Sequence, residues 1–557
     1  MAFDKSGENI FLVQKTAKRV DLVSRKDAQI IYQWHFTNEP TGIVVNANKA
    51  YITSSYGNGL VSVINIITKE VTAEIEVPMG AISPVLNTDG TILYVCCQFD
   101  NTLVEIDLTT NSVKREVKLL REPKGAVLSA DGDFVYVTNF LPNQRADLEV
   151  VASKVSVVNT RTMKRIKDIQ LANGSNALRG ICLSPDGKYV FITHNLGRFQ
   201  VPTTQLQQGW MNTSGMSIIN TSSQAYMGTV ILDEPESGAA GIWEVACDEE
   251  TMVISHSGTH DISVINYPEL IQRFENTDNK EELSYDLRFL SGIRKRIPIE
   301  GNGPRALLLD TKKVIVASYF SDQLNIINLN NHSNTVFALN PNYTESLERK
   351  GERIFNDASH CFQGWQSCNG CHPGDARTDG MNWDLLNDGI GNSKNCKSLL
   401  LSHQTPPAMI SGIRPDAETA VRAGFKHIQF AEVSEEDAQA VDAYLKSLQP
   451  LPSPYLINGK LSNKAERGKK VFQKAGCNYC HSGPFYTDLS KHKIGPIEFE
   501  NGWDTTTLRE VWRTAPYLFD GRAESIEVLI MDMKHGLEGR KLKKKELEDL
   551  VEYIKSL

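Results

Sequence analysis

One short pattern recurs along the first 340 residues. It is an aliphatic or aromatic triplet, seen as Ile10-Phe11-Leu12, Ala50-Tyr51-Ile52, Leu93-Tyr94-Val95, Val135-Tyr136-Val137, Val190-Phe191-Ile192, Met252-Val253-Ile254 and Val314-Ile315-Val316. The first four are spaced by about forty residues, the period of a four-stranded propeller blade. Turns such as Thr88-Asp89-Gly90 and Pro185-Asp186-Gly187 precede several triplets, and a second strand follows, as in Val61-Ser62-Val63-Ile64. A unit this short cannot bury its apolar faces alone, so the copies must stack. Seven triplets predict an all-β, seven-bladed β-propeller over residues 1–340, with later spacings of roughly sixty residues marking insertions in blades four to six.

Val135-Tyr136-Val137-Thr138-Asn139 resembles the YVTN family of bacterial surface and periplasmic propellers. The resemblance covers the first 340 residues. It implies the fold and is nearly silent on activity.

Helical patterning replaces strands after Asn340-Pro341-Asn342. A second break, Pro450-Leu451-Pro452-Ser453-Pro454, is too rich in proline to continue a helix. The segments 341–450 and 451–557 repeat one another. The stretch from Glu348 to Phe355 matches that from Glu466 to Phe472, and Thr405-Pro406-Pro407 matches Thr514-Ala515-Pro516. Ala417-Glu418 matches Ala523-Glu524, and Lys426-His427 matches Lys534-His535.

Each repeat carries Cys-x-x-Cys-His, as Cys368-Asn369-Gly370-Cys371-His372 and Cys477-Asn478-Tyr479-Cys480-His481. Two cysteines three apart on a helical turn reach the two vinyl groups of a haem, and the adjacent histidine presents its imidazole to the iron. Accident can produce one such motif, but not two at matching places of a duplication. Zinc is the competing metal, yet a second cysteine pair of the zinc-finger kind is missing near either motif. Two haem c groups are therefore expected, on Cys368 and Cys371 and on Cys477 and Cys480, with His372 and His481 as proximal ligands. The full architecture expected is multidomain: the propeller, then two all-α cytochrome c-type domains at 341–450 and 451–557. His427 and His535, at equivalent repeat positions, are the expected sixth ligands. Met533 is the rival on the second haem and His403 on the first.

Residues 345–557 resemble the bacterial dihaem cytochrome c peroxidase family, which includes the dihaem enzyme that matures methylamine dehydrogenase. The second repeat carries the resemblance best, from Cys477 to Asp488, in Thr507-Leu508-Arg509-Glu510-Val511 and from Thr514 to Gly521. The first repeat departs from it. Where the family has Phe-Trp-Asp-Gly-Arg, with a tryptophan between the haems, this chain has Met409-Ile410-Ser411-Gly412-Ile413-Arg414. Where the family has a distal glutamate, the neighbourhood reads Phe425-Lys426-His427-Ile428-Gln429-Phe430. With His427 on the iron, peroxide has no open site, which favours electron transfer. Trp383 is either core or a tryptophan between the haems.

In the propeller, His194 and His256 directly follow the triplets of adjacent blades, so they point to one face. His260 comes four residues after His256, and Arg198 and Gln200 share the loop of His194. These are either loop histidines bonded to backbone or a substrate or metal site facing the haems, covered by the insertion 200–213.

Six further cysteines remain. Cys96, Cys97, Cys182 and Cys247 suit buried thiols, whereas Cys361 and Cys396 flank the first motif and are an expected disulfide. Haem is attached to Cys-x-x-Cys-His outside the cytoplasm, so a periplasmic or otherwise extracytoplasmic location is expected. Met1-Ala2-Phe3-Asp4-Lys5-Ser6 is not a signal peptide, and a leader removed or replaced is inferred. No apolar run approaches the length of a transmembrane segment. The net charge of -8 argues against nucleic acid or an anionic membrane as partner. The expected function is electron transfer with a redox-protein donor or acceptor, the propeller being a docking or recognition surface. The alternatives are a peroxidase-like oxidoreductase, acting on peroxide or on a small-molecule substrate held by the propeller, and an adhesion module with auxiliary haems.

Overall fold

The computed structural model describes residues 1–557 except 28, 56, 201–210, 386–392, 495–500 and 538. The insertion 200–213 thus lies mostly outside the described residues. The chain divides into two units. The first comprises 1–142, 152–196 and 213–344, and the second comprises 143–151, 197–212 and 345–557. Two excursions that the sequence patterning places in the propeller are therefore packed as part of the second unit.

The first unit is a ring of seven antiparallel sheets, a seven-bladed β-propeller. All seven triplets fall on the second strand of their sheet: Asn9–Gln14, Lys49–Ser54, Ile92–Cys97, Phe134–Asn139, Tyr189–Gly197, Thr251–His256 and Lys313–Ser318. A strand in the middle of a blade is covered on both faces by the neighbouring blades. It therefore reads as an unbroken apolar run rather than an alternating one. Ile10 and Leu12 of the first blade pack with Ile315 and Leu324 of the seventh, which closes the ring. In blades two, four, six and seven the innermost strand carries a bulge at one level, where register slips between Pro40 and Gly42, Pro123 and Gly125, Ile242 and Val245, and Pro304 and Ala306.

The second unit contains two helix pairs. Leu347–Asn356 packs on Glu435–Ser447, and Asn463–Lys474 packs on Lys544–Lys555. Serine caps start three of these helices, with Ser346, Ser434 and Ser462 accepting from the third residue on. The pairs are built alike. Gly351 lies against the Ala440 carbonyl and Gly468 against the Asp549 carbonyl, too close for any Cβ. Phe355 meets Tyr444, and Phe472 meets Tyr553, at ring-centroid distances of 5.4 Å in both cases.

Between the helices the chain is largely irregular, with a two-stranded ribbon in each repeat, Asn382–Trp383 on Lys394–Asn395 and Lys491–His492 on Trp503–Asp504. Among the described residues of this unit, the longer helices are the helix pairs above and Ala417–His427, so two all-α domains are not shown. Turn formers such as Pro373-Gly374-Asp375 and Pro406-Pro407 stop helices from extending through these segments. No helix among the described residues is long and apolar enough to cross a membrane.

Candidate functional site

In the first repeat, Cys368–Gly370 forms one tight turn, closed by the His372 N–H on the Cys368 carbonyl at 3.0 Å. The turn delivers Cys368, Cys371 and His372 to the wall of one cavity of about 240 Å³, whose other walls include Phe355, Leu399, Val421 and Leu445. His372 Nδ1 donates to the Arg377 carbonyl at 3.0 Å. A carbonyl only accepts, so this bond fixes the tautomer and leaves Nε2 with its lone pair. Burial lowers the imidazole pKa to about 4, so the ring is neutral. Burial also pushes the Cys368 thiol up to about 12. Gln429 Nε2 lies 3.1 Å from Cys368 Sγ, and Asn212 Nδ2 lies 3.4 Å from Cys371 Sγ.

The second repeat reproduces this geometry. The His481 N–H closes on the Cys477 carbonyl at 2.9 Å, and His481 Nδ1 donates to the Tyr486 carbonyl at 3.1 Å. Burial again brings the imidazole pKa to about 4. The ring of His535 stands 6.5 Å from that of His481, centroid to centroid. With metal–nitrogen bonds of about 2 Å, two imidazoles on opposite sides of one metal ion have centroids roughly 6 Å apart. Apolar walls, paired thiols and a neutral imidazole are the donor set that a covalently attached haem requires. Cys480 also clusters with Asp488 and His492, all three ligand atoms lying within 4.8 Å.

Three of the expected distal ligands are placed elsewhere. His427 is exposed at the end of helix Ala417–His427 and does not line the cavity, whereas the following Ile428 and Gln429 do. The cause is spacing. His427 stands ten residues after Ala417, but His535 stands twelve after Ala523, and two residues turn a helix by about 200°. In the second repeat the helix is replaced by a wider π turn, Val528–Asp532. His403 is held by Asp442, Nε2 to Oδ1 at 3.0 Å, and is also absent from the cavity wall. Met533 is exposed.

Residues not singled out as ligands line the cavity instead, Met409 among them. Trp383 is part of the same wall, and its Nε1 donates to Asp379 at 2.8 Å. Burial raises the Asp379 pKa to about 7. Cys396 lies in the wall with Sγ 3.1 Å from the Cys371 carbonyl and 3.5 Å from His372 Nδ1. It is not bridged to Cys361, and both are free thiols. The expected disulfide fails because the ribbon Asn382–Trp383 with Lys394–Asn395 delivers Cys396 to the motif.

The chain is similar to three curated proteins. It is 26% identical to hydrazine synthase subunit gamma of Kuenenia stuttgartiensis, over 39% of this chain and 78% of that protein. It is 25% identical to hydrazine synthase subunit beta of the same organism, over 29% of this chain and 44% of that protein. It is 22% identical to cytochrome c551 peroxidase of Nitrosomonas europaea, over 37% of this chain and 78% of that protein. A solved structure of Kuenenia stuttgartiensis hydrazine synthase matches with a TM-score of 0.54 and 21% identity, over 59% of this chain and 94% of that one. At that identity the likeness is one of fold. No family model matches the chain, and the peroxidase resemblance is distant.

In the first unit, His194 and His256 are not open site residues. Each is fully buried with both ring nitrogens engaged. His194 Nδ1 donates to the Asn195 carbonyl at 2.9 Å and Nε2 accepts from Ser217 at 2.7 Å. His256 Nδ1 donates to the Ala239 carbonyl at 2.9 Å and Nε2 accepts from Ser263 at 2.8 Å. They occupy the place of Asn139, which donates to Ser156 at 3.0 Å. All three are pegs between the second and third strands of a blade. Nδ1 of His260 accepts from the Gly303 N–H at 3.1 Å. Arg198 is buried and belongs to the other unit.

Proposed function

We propose that the chain is a redox protein holding two haem c groups, one per helical repeat, outside the cytoplasm. The observation that carries this reading is the duplicated proximal arrangement. In each repeat the histidine of Cys-x-x-Cys-His donates to the carbonyl five residues on, at 3.0 Å for His372 and 3.1 Å for His481. This orients the ring and frees Nε2 as ligand. Cys368, Cys371, Cys477 and Cys480 would form the covalent attachments. Bound there, haem supplies a reversible one-electron couple.

The repeats differ on the far side of the proximal histidine. His535 stands opposite His481 and would complete a six-coordinate centre, which suits an electron relay. In the first repeat, His372 is the only imidazole among the described residues of the cavity wall. That asymmetry favours a reactive first centre, and with it the enzyme reading over the pure carrier. The relatives named as hydrazine synthase subunits and as a peroxidase support an oxidoreductase acting on a small molecule, with a redox-protein partner. Trp383 and Asp379 would set the polarity of the first cavity, and the propeller would serve recognition or docking.

The test is spectroscopic. Protein matured in a periplasm should gain the mass of two haems and show one low-spin and one high-spin iron. His535→Gly should convert the low-spin centre, and His427→Gly should leave both unchanged. A mass gain of one haem or none defeats the proposal. So does zinc held by Cys480, Asp488 and His492 in place of the second haem. Two low-spin centres indifferent to His535→Gly would remove the assignment of roles.

A further inference from the structure

Blades five and six meet along their innermost strands, Ile181–Leu183 and Ile242–Cys247. The approach is close. A Cβ added to Gly180 would fall 2.5 Å from the Trp243 carbonyl oxygen and 2.9 Å from the Val245 nitrogen, and Thr193 donates to the Trp243 carbonyl at 2.6 Å. A tight turn follows each strand, closed by Gly187 N–H on the Ser184 carbonyl and by Asp248 N–H on the Thr251 carbonyl, both at 2.9 Å. Cys182 and Cys247 stand at these strand ends, on the seam between the blades. Their Sγ atoms are 3.7 Å apart, and Cys247 Sγ also donates to the Leu183 carbonyl at 3.5 Å.

This pair differs from the other cysteines of the first unit. Cys96 and Cys97 are fully buried neighbours on one strand, so their side chains point to opposite faces. Cys182 and Cys247 come from two blades and are half-buried, which leaves them within reach of a reagent. Both are free thiols. As hydrogen-bond partners two thiols gain little, because S–H is a weak donor and sulfur a weak acceptor. As a dithiol they are well placed. The gap of 3.7 Å has to shrink to about 2.05 Å, and each sulfur moves toward the other by rotation about χ1. Both side chains pack against the apolar cluster of Phe191, Ile254 and Tyr267, which suits a disulfide as well as it suits two thiols.

We infer that Cys182 and Cys247 form a modification site, a dithiol that closes to a disulfide by exchange with a disulfide donor and so staples blade five to blade six. One cysteine loses its proton and attacks the donor, which breaks the donor's S–S bond and releases one donor thiol. The other loses its proton and attacks the mixed disulfide, which forms the Cys182–Cys247 bond and releases the second donor thiol. Two electrons and two protons thus pass from the pair to the donor. The bridge joins positions sixty-five residues apart, and closing so long a segment removes much freedom from the unfolded chain. It would hold the blade whose second strand, Tyr189–Gly197, runs into the excursion 197–212. The geometry of the pair does not depend on the haem reading. Only the supply of the donor rests on the extracytoplasmic location proposed above.

The experiment uses the full-length protein matured in a periplasm, with haem content read by intact mass. Thiols are alkylated in denaturant without reductant, and the peptides are mapped by mass. A cross-linked pair of peptides carrying Cys182 and Cys247, lighter by two hydrogens than the separate thiol peptides, is expected, while Cys96, Cys97, Cys361 and Cys396 take the label. After reduction, equilibration with mixtures of reduced and oxidised glutathione should restore the bridge in a two-electron transition. Reduction should lower the melting temperature by roughly 3 °C or more beyond its effect in Cys247→Ser, in which Cys182 takes the label. A bridge that forms only with glutathione upholds the site as a switch. Protein without haem defeats the location, and the glutathione step then decides the bridge by itself. Three results overturn the proposal: both cysteines labelled before and after treatment with oxidised glutathione, a stable mixed disulfide with glutathione on either cysteine in place of the bridge, or a melting shift on reduction no larger than that of Cys247→Ser.

Discussion

Arg377 and Glu510 form a buried two-pronged ion pair at 2.8 and 2.9 Å, joining the first helical repeat to the second. Glu510 also accepts from Leu451 N–H at 2.8 Å and from Arg513 at 3.3 Å. The Arg377 carbonyl is the one that orients His372. Removing one partner of a buried pair strands the other charge, at a cost of about 3–5 kcal/mol. Glu510→Gln should therefore lower the denaturant midpoint strongly and disturb the spectrum of the first centre. Replacing Arg377 and Glu510 together by methionine should recover only part of the stability, because Arg513 and the Leu451 N–H lose Glu510 as well. An unchanged midpoint in Glu510→Gln would show that the pair does not join the repeats energetically.

Alanine normally improves a helix relative to glycine by about 1 kcal/mol. At Gly351 and Gly468 the sign should reverse, because a Cβ would overlap the carbonyl of Ala440 or Asp549. Overpacking of this kind costs about 1–3 kcal/mol. Gly351→Ala and Gly468→Ala should both lower the melting temperature, and to a similar extent. A neutral or stabilising effect would mean that the helices do not cross this closely.

The blade pegs should tolerate exchange within their own chemistry. His194→Asn and His256→Asn copy the residue found at Asn139 and should fold nearly as well as the parent. His194→Ala removes one of the two bonds of the Ser217 hydroxyl, leaving that to Thr229 at 2.8 Å, and empties a fully buried position, which should cost about 1–3 kcal/mol. Redox activity should be the same in all of these. An activity loss in a stable His194→Asn would return this histidine to the site.

Asp442 gives the acid limb a specific origin. Burial raises its pKa, but hydrogen bonds from His403 and Arg422 outweigh that and hold the carboxyl below its ordinary value. A depressed folded value stabilises the fold above the unfolded pKa of about 4, and the contribution is lost as pH falls through the folded value. Melting temperature measured from pH 5 downward should fall less steeply in Asp442→Asn than in the parent. Parallel curves would assign the acid limb to other carboxylates.

The propeller was legible because a mid-blade strand advertises burial on both faces, seven times over. The two Cys-x-x-Cys-His turns were legible because their residues are contiguous in the chain. His427 was misleading. It shares a Lys-His pair with His535, yet the two-residue difference in spacing from the preceding alanine was available in the sequence and contradicts the match. Val190-Phe191-Ile192-Thr193-His194 set beside Val135-Tyr136-Val137-Thr138-Asn139 likewise marked His194 as a peg. Met409 and Cys396 gave no such signal, since only folding brings them to the first motif.

The second unit draws part of its packing from the excursions 143–151 and 197–212. Val151 and Met211 pack with Met381 and Trp383, and Asn212 reaches Cys371. A gene fragment covering only 345–557 would therefore encode an incomplete body, missing pieces of the wall around its own first motif. No single cut in the sequence separates the two units. Dissecting them would require a permuted reading frame that splices the two excursions onto the helical repeats.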